Sequence, residues 1–230
     1  PVVRDYAVFS YGLTQEQEAA VERYSRGLET KVAQVVEQAF KDRSPARLTF
    51  GRGKAGFAIN RRVSKPEGFQ ISVNPVGPVD HEVPVMRIAG KDGELRGILF
   101  GYACHNTTLG GDIYQVNGDY AGFAQAALEK KNPGATAMFV SGFAGDANPN
   151  PRGKLEHAQQ YGEDLANSVN GVLSQKMEPV SGNLATAFDH VQLPFSAPPT
   201  KEELEARLKE KDLIRQRNAR RMLDTIAREG

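Results

Sequence analysis

The chain has 230 residues, 40% of them hydrophobic, which suits one large globular domain or one and a half ordinary ones. Its 29 basic and 28 acidic residues leave a formal net charge of +1, so no electrostatic surplus points to nucleic acid or an anionic membrane as partner. The single cysteine, Cys104, excludes an internal disulfide, and no run approaches the ~18–20 apolar residues of a transmembrane helix.

Residues 14–41 carry Val21, Leu28, Val32, Val35, Val36 and Ala39 at helical spacing, and Thr14 with Gln17 forms a capping box. Ser44-Pro45 ends that helix, Ala46 to Gly51 alternates like a half-buried strand, and a second strand is expected across Gly56 to Asn60. Residues 62–80 hold Pro66, Gly68, Pro75, Gly77 and Pro78 and read as a long surface loop. Val83 to Ala89 and Leu95 to Ala103 read as antiparallel strands joined at the Asp92-Gly93 hairpin signal.

Gly118 to Lys131 is Ala-rich, sets Ala121, Ala124 and Leu128 on one face and stops before Asn132-Pro133-Gly134, the pattern of a helix with a clear end. The apolar run 137–143 follows as a further strand. Strand, helix, strand is a βαβ crossover; it lays 97–103 parallel to 137–143 and brings their polar loops to one carboxyl-end edge, where ligands of open α/β sheets bind. Residues 155–177 form an amphipathic helix with Ala158, Tyr161, Leu165, Val169 and Val172 inward, Leu184 to Leu193 reads as a strand, and a charged helix bearing Leu204, Leu208 and Met222 runs from Pro198 nearly to the end. The fold class expected is α/β, a mixed sheet with a βαβ crossover and flanking helices. The expected organisation is an α/β domain over 1–197 and a helical arm over 198–230. A start on Pro1 and an end inside a charged helical pattern read as a segment of something longer.

Chemistry-bearing residues gather at the two loops. His105 follows a strand directly and precedes Asn106, Thr107 and Thr108; a neutral imidazole there suits zinc, and equally suits a backbone carbonyl. Gly145-Asp146-Ala-Asn148-Pro-Asn150 offers several oxygen atoms within one tight turn, as a site wall or as an ordinary Asx turn. Asp119 opens the crossover helix, where it can cap the helix or face a substrate. Arg61 ends a strand and can bind a substrate oxygen or stand solvated. His81, His157 and His190 complete no zinc spacing with His105.

Taken in order, Pro45-Ala-Arg-Leu-Thr-Phe-Gly51, Ala58-Ile-Asn-Arg61, Pro84-Val-Met-Arg87, Ala103-Cys-His105, Asn117-Gly-Asp-Tyr-Ala-Gly122 and Gly145-Asp-Ala-Asn-Pro-Asn150 resemble the N-terminal catalytic domain of the neutral/alkaline non-lysosomal ceramidases, zinc-dependent amidases that cleave the N-acyl bond of ceramide. The resemblance spans most of the chain. It implies that His105 is a Zn2+ ligand, that Arg61 and Asp119 lie beside the substrate, and that Asp146 and Asn148 belong to the catalytic loop. Asn148 stands where that family has its essential serine, and asparagine is no serine-like nucleophile. The family's other zinc ligands are expected in a His-x-His segment before Pro1 and in a glutamate and a tyrosine well after Gly230, so this segment alone is expected to bind zinc poorly and be inactive. The resemblance further implies a small lipid-like amide substrate, peripheral contact with a membrane, no nucleic-acid partner, and a secreted or periplasmic location. Two rival readings are a non-catalytic descendant that binds a lipid, sugar or protein, and an enzyme on another ester or amide.

Overall fold

In a computed structural model, residues 12–66, 68–194 and 196–229 are described. They fall into two compact units, one from Ser44 to Leu184 and one joining the residues up to Arg43 with those from Ala185 onward.

The Ser44–Leu184 unit carries the sheets. β1 (Arg47–Lys54), β2 (Ala58–Lys65), β3 (Gly68–Asn74), β4 (Glu82–Ala89) and β5 (Leu95–Tyr102) come first. The helix α2 (Asp119–Lys131), β6 (Thr136–Ser141), β7 (Ala147–Pro149), α3 (Leu155–Leu173) and β8 (Glu178–Val180) follow. A five-stranded sheet has the order β6-β5-β4-β1-β8 and a three-stranded sheet the order β3-β2-β7. β5 runs parallel to β6 from Gly97 opposite Thr136 to Tyr102 opposite Ser141, and β4 is antiparallel to β5, so the large sheet is mixed. The expected α/β class and crossover are therefore present.

Apolar alternation places Val83, Val85, Ile98, Phe100 and Tyr102 inside the large sheet's packed face, each at most 1% exposed. α3 seats all five of its expected inward residues, Ala158, Tyr161, Leu165, Val169 and Val172, on the core. α2 and α3 approach closely at Gly162, where a Cβ would stand 2.4 Å from that of Phe123. Phe57 stacks on Tyr161 with ring centroids 4.5 Å apart and meets Tyr102 and Tyr120 at 4.7 and 4.9 Å, tilted on the first and edge-on to the second. Such packing is worth ~0.5–1.5 kcal/mol per aromatic pair beyond area burial.

In the other unit, α1 (Gln15–Lys41) has its N-terminus closed by the expected Thr14–Gln17 capping box, yet it buries no side chain. Val35 and Phe40, on its expected apolar stripe or beside it, stand 66% and 58% exposed. Helices α4 (Lys201–Arg207) and α5 (Leu213–Glu229) follow, with Leu204 and Ala219 buried.

Three expectations are corrected. Residues 62–80 are not a single loop, because β2 continues to Lys65 and β3 returns from Gly68 to Asn74 in antiparallel register. Pro66 lies in the turn, Gly68 opens β3 at φ +126°, and Phe69, Ile71 and Val73 alternate as a strand does. Leu184 to Leu193 is not a strand: no described neighbour pairs with it, and Leu184, Phe188, Val191 and Leu193 are 79–93% exposed. Without a partner ladder, alternation alone does not hold a strand. The strand pairing with β1 is instead the shorter β8. The C-terminal helix is two helices, since Asp212 breaks it by accepting from Ile214 N at 2.9 Å and Arg215 N at 3.2 Å as an N-terminal cap for α5.

Candidate functional site

The carboxyl ends of β5 and β6 lie side by side, and the loops beyond them meet through backbone. Ala147 O accepts both the His105 backbone N–H and the His105 ring Nδ1, each at 3.1 Å. A carbonyl oxygen only accepts, so the ring proton sits on Nδ1 and Nε2 carries its lone pair outward. This is the presentation found when a histidine ligates metal through one nitrogen and is oriented through the other.

The His105 loop is fixed from below. The buried Tyr120 hydroxyl donates to Cys104 O at 2.7 Å. Asp119, 5% exposed, accepts from Leu109 N at 2.9 Å through one oxygen and from Tyr120 N at 2.8 Å through the other. Its backbone sits at φ +53°, a left-handed conformation that Asp tolerates better than most residues. Burial pushes the Cys104 thiol up to about 12 and raises the Tyr120 and Tyr102 phenols as well, so all three stay protonated at neutral pH. Cys104 is structural in this setting, not a thiolate nucleophile.

β2 brings the guanidinium. It pairs antiparallel with β7, Ile59 opposite Asn148, and beyond the ladder Arg61 N donates to Asp146 O at 2.7 Å. Arg61 Nη1 donates to Asn148 Oδ1 at 3.1 Å; Nη2 reaches His105 Nε2 at 3.2 Å and Gly145 O at 3.1 Å. Thr107 Oγ1 adds a longer contact to Asn148 Oδ1 at 3.4 Å. A guanidinium and a hydroxyl on the same oxygen fix the amide orientation and leave Asn148 Nδ2 as the free donor. Asp146 points aside, its Oδ2 accepting from Asn60 Nδ2 at 3.0 Å.

Of the residues singled out in the sequence, then, Arg61, His105 and Asn148 form one hydrogen-bonded set with Asp146 at its margin. Asp119 is drawn into holding the loop backbone. Sequence reasoning missed Asn60, whose buried amide also donates to Pro78 O at 2.9 Å and accepts from Arg62 N at 2.8 Å. It also missed the wall that β3 provides. A cavity of about 290 Å³ opens beside Arg61 and Asn148, lined also by Ile71, Val73 and Arg152. The period-two spacing of Phe69, Ile71 and Val73 was the available signal, masked by Pro66 and Gly68.

No protein family's sequence model and no curated protein matches the chain. Among solved structures, the neutral ceramidase from Pseudomonas aeruginosa superposes with a TM-score of 0.59 at 21% identity, covering 70% of this chain and 28% of that one. A ceramidase described as complexed with C2 does so at TM-score 0.60 and 19% identity, over 70% and 27%. The fold is that of neutral ceramidase. The chain spans under a third of those ceramidase chains, and what is shared at this identity is the ceramidase-like architecture.

The zinc implied by the ceramidase resemblance finds one fitting residue here. His105 offers a lone pair at Nε2, but Arg61 Nη2 occupies that position, and no group of three or more His, Cys, Asp or Glu among the described residues could hold a metal ion. The donor set present is one ligand of the roughly three that catalytic zinc takes from protein. No described helix is long and apolar enough to cross a membrane.

Proposed function

We propose that the chain is part of a ceramidase-like, zinc-dependent hydrolase of N-acyl amide bonds in a lipid-like substrate. The observation that supports it is the convergence of His105, Arg61 and Asn148 at the ends of two parallel strands within a ceramidase-type fold. A zinc ion at such a site would supply Lewis-acid polarisation of an amide carbonyl and activation of water. His105 would hold the metal through Nε2, the ring nitrogen that Ala147 O leaves free and on which Arg61 Nη2 rests. Asn148 donates from Nδ2 toward a developing oxyanion, a contribution of ~2.7–4 kcal/mol where such donors have been removed elsewhere. Asp146 shapes the loop, Arg61 orients the acyl oxygen, and Asp119 keeps the substrate-side loop in place. A lipid substrate fits peripheral membrane contact and a secreted or periplasmic setting.

The test is zinc content and N-acyl hydrolysis of the full-length protein beside His105→Ala. Loss of both in the variant is expected, and unchanged zinc occupancy would sink the assignment.

A second reading has its own observation. Arg61 fills the metal position on His105 while Asn148 replaces a nucleophilic serine, which favours a non-catalytic descendant that binds rather than cleaves its ligand. Asn148→Ser with zinc saturation separates the readings: activity gained or raised supports the hydrolase, and no N-acyl turnover in either protein supports the binder.

A further inference from the structure

The cavity beside the candidate site carries cationic charge that no described residue neutralises. Arg61 and Arg152 both line it, and no carboxylate among the described residues does. Arg61 spends its Nη groups on neutral acceptors only, and neither arginine forms an ion pair with a described residue. Asp146, two residues before Asn148, is engaged by Asn60 and does not line the cavity. Beside Arg61, on the neighbouring strand β3, the lining is apolar. Ile71 and Val73 provide it, and Phe69 extends the same alternate face of β3; the three are 72%, 61% and 51% exposed in the order Phe69, Ile71, Val73. Cation at one wall and an open apolar stripe leading away is the complement of an anionic head on an alkyl chain.

We propose that this cavity binds the carboxylate end of a long-chain acyl amphiphile, with Arg152 as its principal charge contact and the Phe69–Ile71–Val73 stripe under the chain. Carboxylate is favoured over phosphate because Arg61 has both Nη groups engaged and its Nε buried, which leaves Arg152 as the one exposed, uncommitted guanidinium among the described lining residues. One planar fork matches one planar monoanion bidentately. The free Nδ2 of Asn148 supplies a further neutral donor. Two sources share this chemistry: a free fatty acid, and an amide lipid whose head bears a carboxylate, such as an N-acyl amino acid. The inference depends on neither zinc nor turnover.

The experiment is calorimetric titration of the chelator-treated full-length protein with dodecanoate, N-dodecanoylglycine, dodecyl phosphate and neutral dodecanamide, each below its micelle concentration. At least one carboxylate is expected to bind roughly tenfold tighter than dodecanamide, the factor a single charge-assisted contact supplies. Arg152→Gln, a substitution at an exposed position, is expected to abolish that preference and leave dodecanamide binding unchanged. Stronger binding of dodecanoate assigns the site to the free acid, and stronger binding of N-dodecanoylglycine to the amide lipid. Equal affinity for dodecanamide, a preference for dodecyl phosphate, or a carboxylate preference that survives Arg152→Gln overturns the proposal. Because no hydrolysis is measured, its failure is separate from failure of the hydrolase reading.

Discussion

The large and small sheets of the Ser44–Leu184 unit are built on different physics. β4 and β5 of the large sheet bury Val83, Val85, Ile98, Phe100 and Tyr102 almost completely, each worth on the order of 1.5–3 kcal/mol for a large apolar side chain. The small sheet buries little: β3 has no buried residue, and β2 and β7 are covered only where they pair, at Ala58, Asn60 and residues 147–149. What orders it is a set of hydrogen bonds centred on Asn60, Arg61 and Asn148, each contributing a net ~0.5–1.5 kcal/mol. Chemistry finds its place in that contrast. The large sheet supplies a rigid edge, and the small sheet lays polar groups across that edge while remaining open to a ligand.

Substitutions that tell packing from polar bonding test this division. Phe100→Ala should be the most damaging, at about 3–5 kcal/mol by denaturant unfolding of the full-length protein, since it opens a cavity in a close-packed core. A cost under about 1 kcal/mol would mean that the large sheet does not carry the stability. Asn60→Ala should cost ~1–3 kcal/mol despite removing few atoms, because Asp146 Oδ2, Pro78 O and Arg62 N lose their partner together. A neutral outcome would break the claim that hydrogen bonds order the small sheet.

The alkaline limb of stability reads the large sheet's core directly. Burial raises Cys104 from 9.0 to about 12 and raises Tyr102 and Tyr120 from 10.0. Above pH 9 the unfolded chain gives up these protons first and so binds fewer than the native state; stability is full below that pH and falls as pH rises toward 12. The urea midpoint should therefore drop between about pH 8 and pH 11, with a shallower fall in Cys104→Ala. Smallest of all should be Phe69→Ser, within roughly 0.5 kcal/mol, since Phe69 is 72% exposed on β3. A loss of several kcal/mol would show that the stripe is covered by protein and not available to a ligand.

Much of the large sheet was legible locally. The apolar runs ending at Tyr102 and Ser141, with an Ala-rich helix between them stopped by Asn132-Pro133-Gly134, carry their periodicities within a few residues, and crossover geometry then makes the strands parallel. The small sheet was not legible in the same way. Its hairpin turns on Pro66 and Gly68, residues that signal a loop, and only the pairing of Arg62 with Ile71 reveals a strand. Leu184 to Leu193 makes the opposite error instructive: its strand-like alternation stays irregular because no described strand pairs with it.

Helix caps, the crossover, and the placing of His105 and Asn148 where strands end could all be read along the chain, because they depend on short-range sterics and hydrogen bonding. Long-range folding settled that Arg61 meets His105 across 44 residues and Asn148 across 87. It settled too that the guanidinium rests on the imidazole Nε2, and that an apolar strand and two arginines line one cavity with no acid among its described lining residues. Those outcomes turn on which β-edges pair over long sequence separations, an energy shared among distant residues that no local pattern encodes.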